Sequence, residues 1–195
     1  MVVGLARLID GINERVGKVA AWAIVAAILI SAINAIIRKV IGTSSNAWLE
    51  LQWYLFGATF MLGASWTFKV NEHIRIDIIS TRLSKRTRDW IDVFGHVFFL
   101  LPFAGLMVYL TVPYFLSSLS SGETSNSAGG LIIWPAKVLI LAGFLLLLLQ
   151  CLSELAKRLL IIAGKLQDEN RTSGHSAAET QHPPPADEPS ARTGP

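Results

Sequence analysis

Glu50 is the carboxylate best placed to do chemistry within an apolar segment, because it stands about one turn into the run NAWLELQWYLF. A carboxylate there could bind a cation or a proton, as the single glutamate of small membrane exporters does. It could equally be structural, since an anion is favoured at a helix N-terminus and Arg38 and Lys39 lie across a short connection. The structural roles are favoured, because a charge at mid-bilayer costs roughly 3 kcal/mol and intramembrane charges are rare.

His96 and Cys151 are the other residues that could do chemistry inside the apolar segments. His96 has no second histidine on a facing segment, whereas a haem-carrying membrane anchor needs paired axial ligands. Cys151 is the single cysteine, so an intrachain disulfide is excluded and no zinc-ligand spacing occurs. The chain has neither a G-x-S-x-G element nor a phosphate-binding glycine-rich loop. We therefore expect no enzyme activity, no cofactor, no metal site and no nucleic-acid partner.

Four long apolar windows must position these residues. Of 195 residues, 52% are hydrophobic and 16% charged, against roughly a quarter charged in ordinary globular proteins. Each window approaches or exceeds the roughly 20 residues that cross a hydrocarbon layer as a helix. The windows cover 19–41, 47–68, 91–112 and 131–152. The sequence thus predicts an all-α integral membrane protein with four transmembrane helices in a lipid bilayer.

The basic residues are distributed unevenly between the two sides of these windows. Of the 17 Lys and Arg residues, 14 lie before the first window, between the second and third, or after the fourth. The positive-inside tendency then places both termini in the cytoplasm. Residues 1–18 are predicted to be a cytoplasmic segment and 19–166 the membrane domain. The tail 167–195, rich in Pro, Ser and acidic residues, is predicted to be disordered because it has too little apolar surface to bury.

The connection between the second and third windows is strongly basic and reads FKVNEHIRIDIISTRLSKRTRDW. Val70, Ile74 and Ile78 recur every four residues, which is typical of an amphipathic helix lying in the membrane interface. Its cations would then meet anionic lipid headgroups. A solvated basic loop that only fixes the topology is the alternative, and the sequence leaves both open.

The connection 113–133 is long and carries Glu123 as its only charge. Loops of this length are often functional, so Glu123 is a candidate contact for a partner on that side of the membrane. The alternative is a passive connection in which Trp134 serves only as an interfacial anchor.

Two stretches carry a family resemblance. The run ELQWYLFGATFMLGASWTFKVNEHIRIDIISTRLSKRTRDWID resembles the small membrane subunit, or Q-type subunit, of tripartite ATP-independent periplasmic (TRAP) transporters. The stretch SSGETSNSAGGLIIWPAKVLILAGFLLLLLQCLSELAKR resembles more narrowly the mannitol and chloroaromatic-type branch of that family. Together they cover the last three windows.

The resemblance implies a division of labour in a bacterial inner membrane. A periplasmic solute-binding protein captures an organic acid or related solute, and a large membrane subunit moves it inward by an elevator-like mechanism driven by a sodium gradient. The small subunit packs against the static scaffold of the large one. Substrate and sodium sites then belong to the large subunit.

The resemblance also assigns residues to assembly and positioning. Those that match the family pattern are Glu50, Tyr54, Asn71, Glu72, His73, Arg75 and Asp77. Gly57 and Gly63 permit a neighbouring helix to approach closely, so we expect their face to bind the large subunit and Glu123 to contact the binding protein. Two alternatives stay open: an autonomous four-helix exporter that uses Glu50, and a non-transport membrane anchor or assembly protein.

Overall fold

The computed structural model describes residues 2–43, 45–70 and 84–164, and these ranges form an all-helical protein. The helices are α1 (Val2–Ile41), α2 (Asn46–Val70), α3 (Lys85–Gly95), α4 (Leu101–Ser121) and α5 (Trp134–Ile162). A π-helical turn, His96–Leu100, joins α3 to α4 without a break. The all-α prediction is confirmed for the part of the chain described.

Three helical stretches are long and apolar enough to cross a membrane: Val3–Ile41, Asp89–Ser121 and Trp134–Ile162. They contain most of the first, third and fourth predicted windows. The window 47–68 falls in α2, which is 25 residues long. α2 is not one of these three stretches, because residues such as Gln52, Trp53 and Tyr54 lower its mean hydropathy. Its length still corresponds to roughly 37 Å of helix.

Several helices extend beyond the predicted windows; α5, for example, continues ten residues past the window 131–152, to Ile162. α1 begins at Val2 and so continues through the segment 1–18 that the sequence set apart. α4 continues through Pro113, which the sequence placed in a loop, and ends at Ser121. A proline is tolerated inside a membrane helix where its surroundings satisfy the freed backbone groups. The helix stops at Gly122, whose φ of 60° is left-handed and whose N–H donates to the Ser118 carbonyl.

The helices α1, α2 and α5 pack against one another, and α4 packs against α5. Two glycines allow the closest approaches. A Cβ added at Gly17 on α1 would lie 2.6 Å from Cβ of Trp66, and one added at Gly143 on α5 would lie 2.8 Å from the Met61 carbonyl oxygen. Small residues at such crossings let membrane helices pack backbone to backbone.

Replacing Gly143 with valine should therefore force α2 and α5 apart. Overpacking of this kind costs about 1–3 kcal/mol, which we expect to see as a lower melting temperature of the purified chain in detergent. Gly105→Val on α4 is the matched control, because nothing lies within 4 Å of an added Cβ at Gly105. Equal melting temperatures for the two variants would contradict the α2–α5 packing.

Candidate functional site: the anchored outer loop

One face of the first turns of α2 holds the loop between α4 and α5. Asn46, Glu50 and Tyr54 recur every four residues and so lie on one side of the helix. The Asn46 amide donates to the Ala128 carbonyl at 3.0 Å, and the Tyr54 hydroxyl donates to the Ile132 carbonyl at 3.3 Å. We call residues 122–133 the outer loop.

Glu50 is the central anchor of the outer loop. One carboxylate oxygen accepts a hydrogen bond from the Ser125 hydroxyl, and the other accepts one from the Leu131 amide at 2.7 Å. Ser125 and Leu131 are themselves joined, since the Ser125 amide donates to the Leu131 carbonyl at 2.9 Å. The carboxylate thus fastens both limbs of the loop, and its partners are these groups rather than Arg38 or Lys39.

Gly130 is required by the same anchor. A Cβ at this position would lie 2.5 Å from Cβ of Ser125 and 3.0 Å from a carboxylate oxygen of Glu50. Its amide donates to the Ser127 carbonyl at 2.9 Å, which closes the turn. The absence of a side chain at Gly130 therefore makes room for the Glu50 carboxylate.

Glu123 begins the outer loop and is partnered within the chain. It forms an ion pair with Lys137 on α5 and accepts a hydrogen bond from the Ser118 hydroxyl at 2.6 Å. Lys137 is only 7% exposed, and its ammonium lies 3.8 Å from the centroid of the Tyr114 ring, a cation–π contact. The pKa of the Glu123 carboxyl is lowered from its ordinary value, mainly by the hydrogen bond from Lys137 and then by the one from Ser118. The carboxylate therefore joins α4, the loop and α5, while part of its surface stays open.

The remaining candidate residues are placed as follows. Gly57 and Gly63 lie in α2 with nothing within 4 Å of an added Cβ, so the packing within this chain does not require a glycine at either position. Asn71, Glu72, His73, Arg75 and Asp77, with most of the predicted amphipathic element, lie outside the described residues. His96 lies in the π-helical turn, with its ring edge-on to Phe68 at 5.3 Å.

A polar network at the opposite end of the bundle escaped the sequence analysis. It joins α1 to α5 through Asp10, whose carboxylate accepts hydrogen bonds from Gln150 at 2.8 Å and Ser153 at 3.1 Å and forms an ion pair with Lys157 at 3.0 Å. The amide of Asn13 donates to Gln150, and both side chains are 0% exposed. The network therefore belongs to the interior of the bundle.

Neighbouring ion pairs extend this network to the other helices. Glu14 on α1 binds Lys69 on α2 at 2.8 Å, and Arg158 on α5 binds Asp89 on α3 at 3.1 Å. A signal was present in the sequence, since Ala6, Asp10, Asn13 and Gly17 follow helical spacing and so share one face of α1. Hydropathy alone does not reveal this face, because the polar residues of 1–18 place that segment outside the apolar windows.

These contacts hold the helices and the outer loop in position. Within 2–43, 45–70 and 84–164, no three His, Cys, Asp or Glu side chains are grouped so that they could hold a metal ion. Apolar helices of spanning length, tied at each end by polar side chains, define a multi-pass membrane protein.

Comparison with known protein families shows which kind of multi-pass membrane protein this chain is. The family model described as "Tripartite ATP-independent periplasmic transporters, DctQ component" matches residues 18–160. The match covers more than half of the chain, so the chain belongs to this family, which is a transporter component and not an enzyme. The resemblance to the small membrane subunit is thereby confirmed. Neither the curated proteins nor the solved structures gave a match.

Replacing Glu50 with glutamine should loosen the outer loop, because an amide cannot accept hydrogen bonds through both of its terminal atoms. A hydrogen bond to a charged group contributes more than a neutral one, so we expect the Leu131 amide to exchange its hydrogen roughly tenfold faster. Hydrogen exchange with mass spectrometry on the purified chain measures this. Gln52→Ala, on another face of α2, is the control, and unchanged exchange in Glu50→Gln would refute the anchor.

Proposed function

We propose that this chain is the small permease subunit of a sodium-driven, binding-protein-dependent uptake system, and that it scaffolds the large elevator-type membrane subunit for import of an organic acid or related solute. The observation that carries the proposal is the family match over residues 18–160. The mannitol and chloroaromatic branch is part of the proposal and rests on the resemblance of the stretch from Ser120 to Arg158.

The proposed topology has four transmembrane helices with both termini in the cytoplasm of a bacterium, the chain lying in the inner membrane. The length of α2 supports a fourth crossing, since its 25 residues exceed the roughly 20 that the hydrocarbon layer requires. The distribution of basic residues supports the orientation. The outer loop then faces the periplasm, and the polar network of Asp10 and Gln150 lies near the cytoplasmic surface.

A face of α2 supports the scaffold role. Trp53 and Phe60 are 74% and 68% exposed and, seven residues apart, they lie on one side of the helix, with Gly57 and Gly63 on its two flanks. Aromatic side chains beside glycines present knobs and gaps to a neighbouring helix, and small residues are enriched where membrane helices associate. We propose this α2 face as the contact with the large subunit.

The exporter alternative is disfavoured by the contacts of Glu50. A carrier must release its ion or proton in each cycle, whereas both oxygens of Glu50 are engaged by Ser125 and Leu131 in holding the outer loop. The anchor or assembly alternative differs from the scaffold role in one measurable way, since it predicts unimpaired uptake when the chain is deleted.

The outer loop is the proposed contact for the periplasmic solute-binding protein. Its exposed residues include Thr124, Asn126 and Ala128, and the anchors at Glu50 and Glu123 hold them in a defined shape. A preshaped loop loses less conformational entropy when a partner binds. Glu123, partly exposed beside Lys137, would lie at the edge of this contact.

The scaffold role is tested by affinity purification of the tagged chain in mild detergent from cells that express the whole system. We expect a large multi-pass membrane protein to co-purify near one-to-one, and Gly57→Trp and Gly63→Trp to abolish its recovery. Both substitutions should leave the small subunit itself folded, because an added Cβ at either position has no neighbouring atom within 4 Å. Gly105→Trp on α4 is the matched control.

Two results would contradict the proposal. Recovery of the chain alone, or as a self-oligomer that transports solute in liposomes, would refute the subunit role. Full recovery of the large subunit with both α2 variants, together with its loss in Gly105→Trp, would indicate that α4 rather than α2 contacts the large subunit.

The loop contact is tested separately by solute uptake in cells. Asn126→Trp places a bulky side chain on the exposed side of the outer loop, so we expect slower uptake at limiting binding protein and normal recovery of the large subunit. Arg7→Trp, an exposed position at the other end of the bundle, is the control. Normal uptake with Asn126→Trp and with Glu123→Gln would refute a role of this loop in docking.

A further inference from the structure

An apolar groove runs between α1 and α2, from the middle of these helices toward the end of the bundle opposite the outer loop. Its volume is about 390 Å³. Val16, Val19 and Ala23 line it from α1, and Ala58 and Leu62 line it from α2. The alanines create the concavity, because larger side chains at these positions would fill it.

Arg15 lies at one end of this groove and is its only charged lining residue. The adjacent carboxylate, Glu14, is already shared by Lys18 at 2.6 Å and Lys69 at 2.8 Å. Among the described residues, Arg15 therefore has no carboxylate partner, and its side chain is exposed. A phosphate accepts hydrogen bonds from a guanidinium in bidentate geometry, so an exposed arginine without a carboxylate partner is well suited to bind one.

The depth of Arg15 in the membrane indicates that this phosphate is that of a lipid headgroup. Arg15 follows Glu14, which binds Lys69 in the last turn of α2, so Arg15 lies near the level at which α2 ends, where charged side chains meet the lipid headgroups. From there the groove leads inward along apolar residues of the Val3–Ile41 span. A phosphate above and hydrocarbon below is the order of groups in a phospholipid.

We propose that this groove is a phospholipid site, in which one acyl chain lies between α1 and α2 and the headgroup phosphate binds Arg15. The occupant is a lipid of the leaflet at this end of the bundle. The inference rests on the membrane location of the chain and is independent of the subunit role proposed above. A bound lipid here would fill the surface between the two helices that pack most extensively on each other.

The test is native mass spectrometry of the full chain, purified in detergent and titrated with phosphatidylglycerol. We expect a one-to-one adduct with the unaltered protein. Arg15→Gln should weaken it about fivefold, the effect expected of one basic residue at a charged lipid surface. Ala23→Phe should abolish the adduct by filling the groove. Size-exclusion chromatography checks that each variant stays folded.

Matched controls separate a built site from general attraction. Arg7→Gln removes another exposed cation of α1, and Ala21→Phe adds the same ring on an exposed position outside the groove. Both should bind lipid as the unaltered protein does. Equal adducts in all variants, or weakening in Arg15→Gln without an effect of Ala23→Phe, would overturn the proposal. So would cross-linking of Val19→Cys to a partner protein in the intact complex with no lipid retained.

Discussion

The buried polar network between α1 and α5 is the interaction on which the arrangement of the helices most depends. In a bilayer, apolar side chains gain little by leaving lipid for protein, so close packing and polar contacts between helices determine which surfaces meet. Asn13 and Gln150 are both 0% exposed, and separating the helices would break the hydrogen bonds from the Asn13 amide to Gln150 and from the Gln150 amide to Asp10. The first and last helices are thereby fixed in register, with α2 fastened to them by the pair Glu14–Lys69.

The outer loop connects the helices at the end of the bundle opposite the polar network. The polar network sets the depth of α1 and α5, and the glycines at positions 17 and 143 bring α2 against both of them. α2 then presents Glu50 to the loop, and the loop in turn positions the pair of Glu123 with Lys137. Each contact depends on the previous one, so the shape of the outer loop is a property of the whole bundle.

The sequence predicted the helical class, most of the apolar windows and the membership of the family, because hydropathy and local patterns carry that information. It also singled out Glu50 and Tyr54, but not the loop they hold, since Leu131 lies 81 residues from Glu50. The network of Asp10 and Gln150 has a separation of 140 residues. Pairings at such distances depend on how helices cross, which a single sequence does not encode locally.

The contacts of the ionisable groups argue for a positioning role. Transport sites place charged groups along a path where they exchange partners, whereas Glu50, Glu123 and Asp10 are each held by several neighbours from different helices or loops. One surface that lacks such ties is the α2 face of Trp53 and Phe60, flanked by Gly57 and Gly63, where neither glycine is required by the packing of the described residues. A protein whose carboxylates at Asp10, Glu50 and Glu123 are engaged internally, and which presents an open apolar helix face, is suited to pack against a neighbouring helix.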